Sequence, residues 1–213
     1  MPGRTLLVMV GTPNRDRQAE RREATHAEIL SVAWDVAEEH GIAGLTLREV
    51  AVRIGMKPPS LYSHFDSKNA IYDAMFEQAW TQYAAIVDDV ATDLPPNPRQ
   101  ALRVLAETFF DFATAHAPRH QLMSQRVVPG FEPSASAYRP AVQVLDQFQS
   151  RLRSLGVDDP AGVDLVTALI GGLVNQQIAN DPGGSRWRDL LPRAINMYAD
   201  EVGLARREPR RSP

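Results

Sequence analysis

The segment KPPSLYSHFDSK, residues 57–68, places two lysines, three serines, a tyrosine and a histidine around a proline pair. It holds no nucleophile with a partnering base and no pair of carboxylates, so its chemistry is that of contact. Ser60 and His64 can hydrogen-bond base edges or phosphates, and Pro58 and Pro59 can touch thymine methyls. Tyr62 can reach a phosphate oxygen or pack against an earlier helix. Lys57 and Ser63 fall on the same exposed side. Lys68 opens the following helix, where a cation opposes the macrodipole at a cost of about 0.3 to 1 kcal/mol. A phosphate docked there would remove that conflict, because free amides and the ammonium would then act together. Upstream, the Thr46 hydroxyl at another helix start offers a second phosphate contact, and Arg48 can reach either backbone or a guanine edge.

Other chemistries find little support. The chain has no cysteine, which removes disulfides, thiolate nucleophiles and cysteine-held metals and fits a cytoplasmic protein. His116 and His120 are four apart, but Pro118 lies between them and no third ligand is evident, so no metal site is expected. No cofactor motif and no catalytic constellation is found, and the expectation is a protein that is not an enzyme.

Several elements must position these residues. The run from Arg22 to His40 carries apolar residues at Ile29, Val32, Ala33, Val36 and Ala37, a helical stripe ended by Gly41. Thr46 and Glu49 read as a capping box, with Leu45 and Val50 as a hydrophobic staple around it. This predicts a helix over 47–54, turned by Gly55. A second short helix starts at Pro58, since proline costs little where amide hydrogens have no intrahelical partner. Leu61 and Phe65 point it inward. Asp66 or Ser67 then caps a longer helix whose stripe runs through Ile71, Met75 and Ala79. Two short helices joined by a glycine turn, with the small Ala51 at their crossing, form a helix-turn-helix, whose second helix enters the major groove.

At 213 residues the chain can bury a substantial core. No run approaches the roughly 18 apolar residues that span a bilayer, so a soluble protein with no membrane contact is expected. The net charge of −3 argues against coating nucleic acid, but its distribution is uneven. Residues 1–22 hold Arg4, Arg15, Arg17, Arg21 and Arg22 against Asp16 and Glu20, whereas residues 23–40 hold five acids and no Lys or Arg. Basic residues return at Arg48, Arg53, Lys57 and Lys68.

The stretch GIAGLTLREVAVRIGMKPPSLYSHFDSKNAIYDAM, residues 41–75, resembles the helix-turn-helix of the TetR family of bacterial transcriptional repressors. Gly41, Leu45, Thr46, Ala51, Gly55, Leu61, Tyr62, His64, Phe65 and Lys68 carry the resemblance, and Ile71 stands where the family usually has leucine. The resemblance implies an all-α homodimer with a ligand pocket in its body, whose occupation changes the separation of the two heads. It also implies that Thr46, Tyr62 and Lys68 contact phosphate, and that Arg48, Pro58, Pro59 and Ser60 contact bases of a double-stranded operator. Repression, with release by an unidentified small apolar or amphipathic effector, rests on this resemblance; a ligand-independent architectural DNA binder or adaptor is the alternative.

The expected architecture is all-α, about nine helices: a disordered extension (1–20), a DNA-binding head (21–82, motif 46–65), a ligand-binding and dimerisation body (83–204) and a disordered tail (205–213). The prolines of DLPPNPR, residues 93–99, mark a boundary between the helical head and the rest, where helices are expected near 99–115, 138–155, 160–180 and 186–204, with a loop at 129–136. The last two suit a homodimer seam, and Gly171 and Gly172 would allow close approach. Phe109, Phe112, Met123, Phe131 and Tyr138 are the candidate pocket residues, each weighed against ordinary core packing.

Overall fold

Helix follows helix through the computed structural model, which describes residues 13–204. Among these residues there are nine α-helices and no strand. The head comprises α1 (Pro13–His40), a 3-10 turn at Ile42–Gly44, α2 (Leu47–Ile54), α3 (Pro58–Leu61) and the first half of α4 (Lys68–Ala91). The body adds α5 (Pro98–Ala115), α6 (Ala117–Ser124), α7 (Ala135–Ser154), α8 (Pro160–Asn180) and α9 (Leu191–Glu201).

Local chemistry accounts for these boundaries. The Thr46 hydroxyl accepts from the Glu49 amide at 3.3 Å, one half of the capping box. The other half is not formed, because the Glu49 carboxylate is taken by Arg53 at 2.6 Å and faces His40 at 3.1 Å. Leu45 and Val50 are fully buried as the staple requires. Gly55 ends α2 at φ 74°, a left-handed conformation that glycine adopts without strain. Ser67, not Asp66, caps α4 by accepting from the Ala70 amide at 3.1 Å.

Three boundaries differ from the sequence expectation. Helix α1 begins at Pro13, so residues 13–20 are helical and not a disordered extension; residues 1–12 and the tail 205–213 lie outside the described residues. Residues 17–24 are exposed, so no apolar stripe marks this part of the helix. Its arginines, glutamates, glutamine and alanines are good helix formers, and proline fits the first position. At the other end, residues 186–190 form turns and α9 starts only at Leu191. The Gln177 and Asp181 side chains hold that turn, accepting from the amides of Trp187 at 2.9 Å and Arg186 at 2.9 Å. The loop before α7 lies earlier, at 125–134 in place of 129–136, because Ser134 caps that helix and is itself gripped by Asp73 at 2.7 and 2.6 Å.

Helix α4 belongs to both halves. Its Ile71, Tyr72, Met75 and Phe76 join the core of the head, and its Ala79, Tyr83 and Val87 pack with Met123 and Val144 in the body. A separate body core gathers α5, α8 and α9 around Leu102, Phe110, Val166, Leu191 and Ile195.

Candidate DNA-binding face and body cavity

Helix α3 has only four residues and cannot sustain itself. It is held down by Leu61, 1% exposed, and by Phe65 just beyond it, 6% exposed. Everything else on the segment faces out. Lys57, Pro58, Pro59, Ser60, Ser63, Thr46 and Arg48 are exposed, and Lys68 and His64 are half-buried. Tyr62 is 51% exposed, so its phenol reaches outward and does not pack beneath α1. The Ser63 hydroxyl donates to the Ser60 carbonyl at 2.7 Å. The Lys68 ammonium lies 5.2 Å from the centre of the Tyr72 ring. That ring is fixed from below by its own hydroxyl, which donates to the Ile42 carbonyl at 2.8 Å.

All ten residues singled out in the sequence therefore lie on one stretch of the head, from the start of α2 to the start of α4. The arginines there divide by partner. Arg53 is locked into a fork with Glu39, at 2.7 and 2.6 Å, and reaches Glu49 as well. Its guanidinium holds both carboxyls below their ordinary values. Arg48 makes no ion pair among the described residues and stays free for an external anion. Glu39, His40 and Glu49 also come close enough to share a cation, a grouping the sequence reading did not foresee. Arg53 already occupies both carboxylates, and the cluster is read as an ion-pair network.

The body contains a cavity of about 190 Å³ between α4, α5, α7 and α8. Trp80, Tyr83, Phe109, Val144, Phe148 and Ile170 form most of its wall, with Gln147, Arg151 and Thr167 as polar groups. Thr167 donates to the Val163 carbonyl at 2.8 Å and Gln147 to Asp88 at 3.3 Å, so both are engaged. Arg151 has no side-chain partner among the described residues, and the buried indole N–H of Trp80 has none either. The cavity is thus apolar, with one buried unsatisfied donor, the Trp80 indole, and the half-buried Arg151 at its wall. Burial pushes the Tyr83 phenol above its ordinary value, keeping the ring neutral.

The five aromatic and methionine residues expected to line one pocket are divided among three places. Phe109 lines the cavity. Met123, Phe131 and Tyr138 line a separate outer cleft of about 360 Å³ between α4, α6 and α7. Phe112 lines neither; it lies against Tyr83 at 5.1 Å and under the Arg119 guanidinium at 5.4 Å. Arg119 also covers Trp34 of α1 at 5.5 Å, and the Trp34 indole donates to Gln78 of α4 at 2.7 Å. His116 faces Glu38 of α1 at 3.1 Å. Helix α6 therefore touches the head through His116 and Arg119, and the cavity through Ser124. Trp80, Val144, Phe148 and Ile170 escaped the sequence reading because each continues a helical apolar stripe, the same signal that core residues give.

A short, outward-facing second helix braced by α2, on an all-helical body with its own cavity, defines a DNA-binding regulator of the helix-turn-helix class. Residues 29–75 match the family of bacterial regulatory proteins described as the tetR family. The chain is 27% identical over 190 residues to the tetracycline repressor protein class A from transposon 1721 of Escherichia coli, covering 82% of this chain and 81% of that one. It is 26% identical over 147 residues to the transcriptional repressor KstR2 of Mycobacterium tuberculosis, covering 67% and 68%. In fold it is similar to a protein of unknown function from Rhodococcus sp. RHA1, with TM-score 0.70 and 18% identity over 95% of this chain and 100% of that one. It is also similar to the regulator FadR of Bacillus subtilis in complex with stearoyl-CoA, with TM-score 0.60 and 14% identity over 81% and 97%. Residues 29–75 thus carry the DNA-binding region of the tetR family, and the protein is a DNA-binding regulator of transcription similar to that family's repressors.

Proposed function

We propose that this protein is a ligand-responsive repressor that binds a palindromic operator as a homodimer in the cytoplasm and is released by a small effector seated in the body cavity. The observation that carries the reading is that α4 builds both parts. Its first half fills the core below the recognition segment, and Trp80, Tyr83 and Val87 in its second half line the cavity. A ligand that pushes on the second half moves the first. The unpartnered donors of Arg151 and Trp80 suit an apolar effector with one acceptor group, such as a carboxylate or carbonyl. On the DNA side, Thr46, Tyr62 and Lys68 contact phosphate, Arg48, Pro58, Pro59 and Ser60 face base edges, and Lys57, Ser63 and His64 lie beside them.

The dimer face is the outer side of α8 and α9, which narrows the expected second segment to 191–201. Leu165, Ala168 and Gly172 follow one another at helical spacing on the exposed side of α8, and Leu169 beside them packs against the edge of the body core. Leu165 is 49% exposed, Leu190 before α9 is 40% exposed and Met197 is 64% exposed. A side chain added at Gly171 or Gly172 would meet nothing within 4 Å in its own chain. Apolar surface of this kind supports a seam between two copies.

The test selects bound sequences from a random duplex pool and measures operator affinity while small carboxylates and ketones of increasing apolar size are titrated in. A coupling of about 1 to 3 kcal/mol would weaken operator binding roughly 5- to 150-fold. Val144→Trp fills the cavity and is expected to leave operator affinity intact while abolishing the response. A response that survives Val144→Trp would place the effector elsewhere.

A further inference from the structure

Helix α1 runs well past the residues that close the head. From Ile29 onward its inner face is apolar, and Ile29, Ala33, Val36 and Ala37 are fully buried. Continued toward the N-terminus by helical spacing, the same face carries Gln18, Arg21, Arg22 and Thr25. These four, with Ala19, form one wall of a polar cleft of about 560 Å³, whose other wall is Ser63 and His64, directly after the recognition helix. Arg17 lies one turn further along. None of the three arginines makes an ion pair with a carboxylate among the described residues, and Glu20 and Glu23 fall on the opposite side of the helix by spacing.

Two histidine nitrogens at and beside the cleft are also unsatisfied. The His26 and His64 rings lie 5.5 Å apart, and His26 stacks on Phe65 at 4.6 Å, which ties this part of α1 to the recognition segment. The buried Nε2 of His26 and Nδ1 of His64 have no partner among the described residues. A helix face that turns from apolar to doubly basic where it overhangs the exit of α3 is built to face an anion outside the chain. The nearest polyanion is the one α3 reads.

We propose that the first three turns of α1 are a second DNA-binding element, in which Arg21 and Arg22, extended by Arg17, grip the phosphate backbone flanking the bases faced by α3. The proposal rests on the operator-binding reading above and adds to it a set of contacts that fix position without reading sequence. The cleft geometry puts the arginines beside Ser63 and His64, so the phosphates they hold adjoin those reached by Tyr62.

The test compares the full-length chain with Arg21→Ala/Arg22→Ala on the selected operator across a salt series. Two arginines in each protomer of a dimer make four phosphate contacts, so the slope of log affinity against log salt is expected to fall in magnitude by about 3.6. The advantage of the unsubstituted chain should grow about 150-fold as salt is lowered from about 200 to 50 mM. Preference among operator bases should not change, and Arg21→Lys/Arg22→Lys should restore most of the slope. An unaltered slope in the double alanine variant, measured alongside a Lys68→Ala variant that does lose slope, overturns this proposal and leaves the operator reading standing. Failure of the unsubstituted chain to enrich any duplex overturns both.

Discussion

Leu61 is the residue on which presentation of the recognition helix turns. It is 1% exposed, and apart from the buried Phe65 ring just beyond it α3 has few other means of staying in place: four helical residues, no side-chain cap, and turn bonds from Ser63, His64 and Phe65 back to Ser60 and Leu61 at 2.9 to 3.2 Å. Replacing a fully buried leucine by alanine costs about 2.7 to 5 kcal/mol. That loss falls first on the local equilibrium between docked and undocked α3, because α1, α2 and α4 keep their own buried residues. Amide exchange at Ser63, His64 and Phe65 in Leu61→Ala should accelerate by about 100- to 4000-fold. Once the local margin is exhausted, each further 1.4 kcal/mol lowers the DNA-competent fraction tenfold and weakens operator affinity in proportion. The assay is native-state hydrogen exchange paired with operator anisotropy. Exchange in α8 should be unaltered, since its core is separate. Acceleration of less than tenfold at residues 63–65 would refute the argument, showing that α3 is held by something other than Leu61.

Two further outcomes follow from the body. Leu165→Glu/Met197→Glu puts four carboxylates into the proposed seam of a dimer, and sedimentation at micromolar concentration should then give a monomer with unaltered helix content; a species of unchanged mass would move the seam elsewhere. His120 is 3% exposed and its pKa is lowered from 6.5 by desolvation, partly offset by its hydrogen bond to Asn175 at 3.1 Å. The folded chain therefore binds fewer protons than the unfolded one below that value, so this stabilisation is fully present above pH 6.5 and is lost as pH falls through it toward the folded pKa. The thermal midpoint should drop between pH 7.5 and 5.5, and drop less in His120→Gln; an equal drop in both would assign the pH dependence to other groups, among them His26, whose pKa is also lowered by burial.

The route from cavity to DNA face can be followed residue by residue. Tyr83 and Trp80 sit on the same helix as Tyr72, whose hydroxyl holds the turn before α2. A second strut runs through α6, where Arg119 is clamped between Phe112 of the body and Trp34 of the head. Burial lowers the pKa of that guanidinium, and Glu38 nearby opposes the effect, so the cation is held by ring faces more than by acids. Phe112, expected among the ligand-contacting residues, thus serves the junction between the two halves.

What the amino-acid sequence by itself determined is the head from Gly41 to Lys68. Its signals are local: a hydroxyl at Thr46, a glycine at positive φ at Gly55, prolines at a helix start and paired apolar residues at Leu61 and Phe65 each act within a few residues of themselves. Such signals survive without knowledge of the rest of the chain. What only the tertiary structure decided are the features made by residues distant in sequence. The cavity exists because α4, α5, α7 and α8 leave space between stripes that each read as core, and periodicity carries no information about a void. The start of α1 was hidden because a helix with no buried face has no apolar period, and the placement of its arginines beside His64 depends on how α1 crosses the recognition segment. Local grammar marks where a helix begins and which side it buries; what faces an open side is settled only by packing.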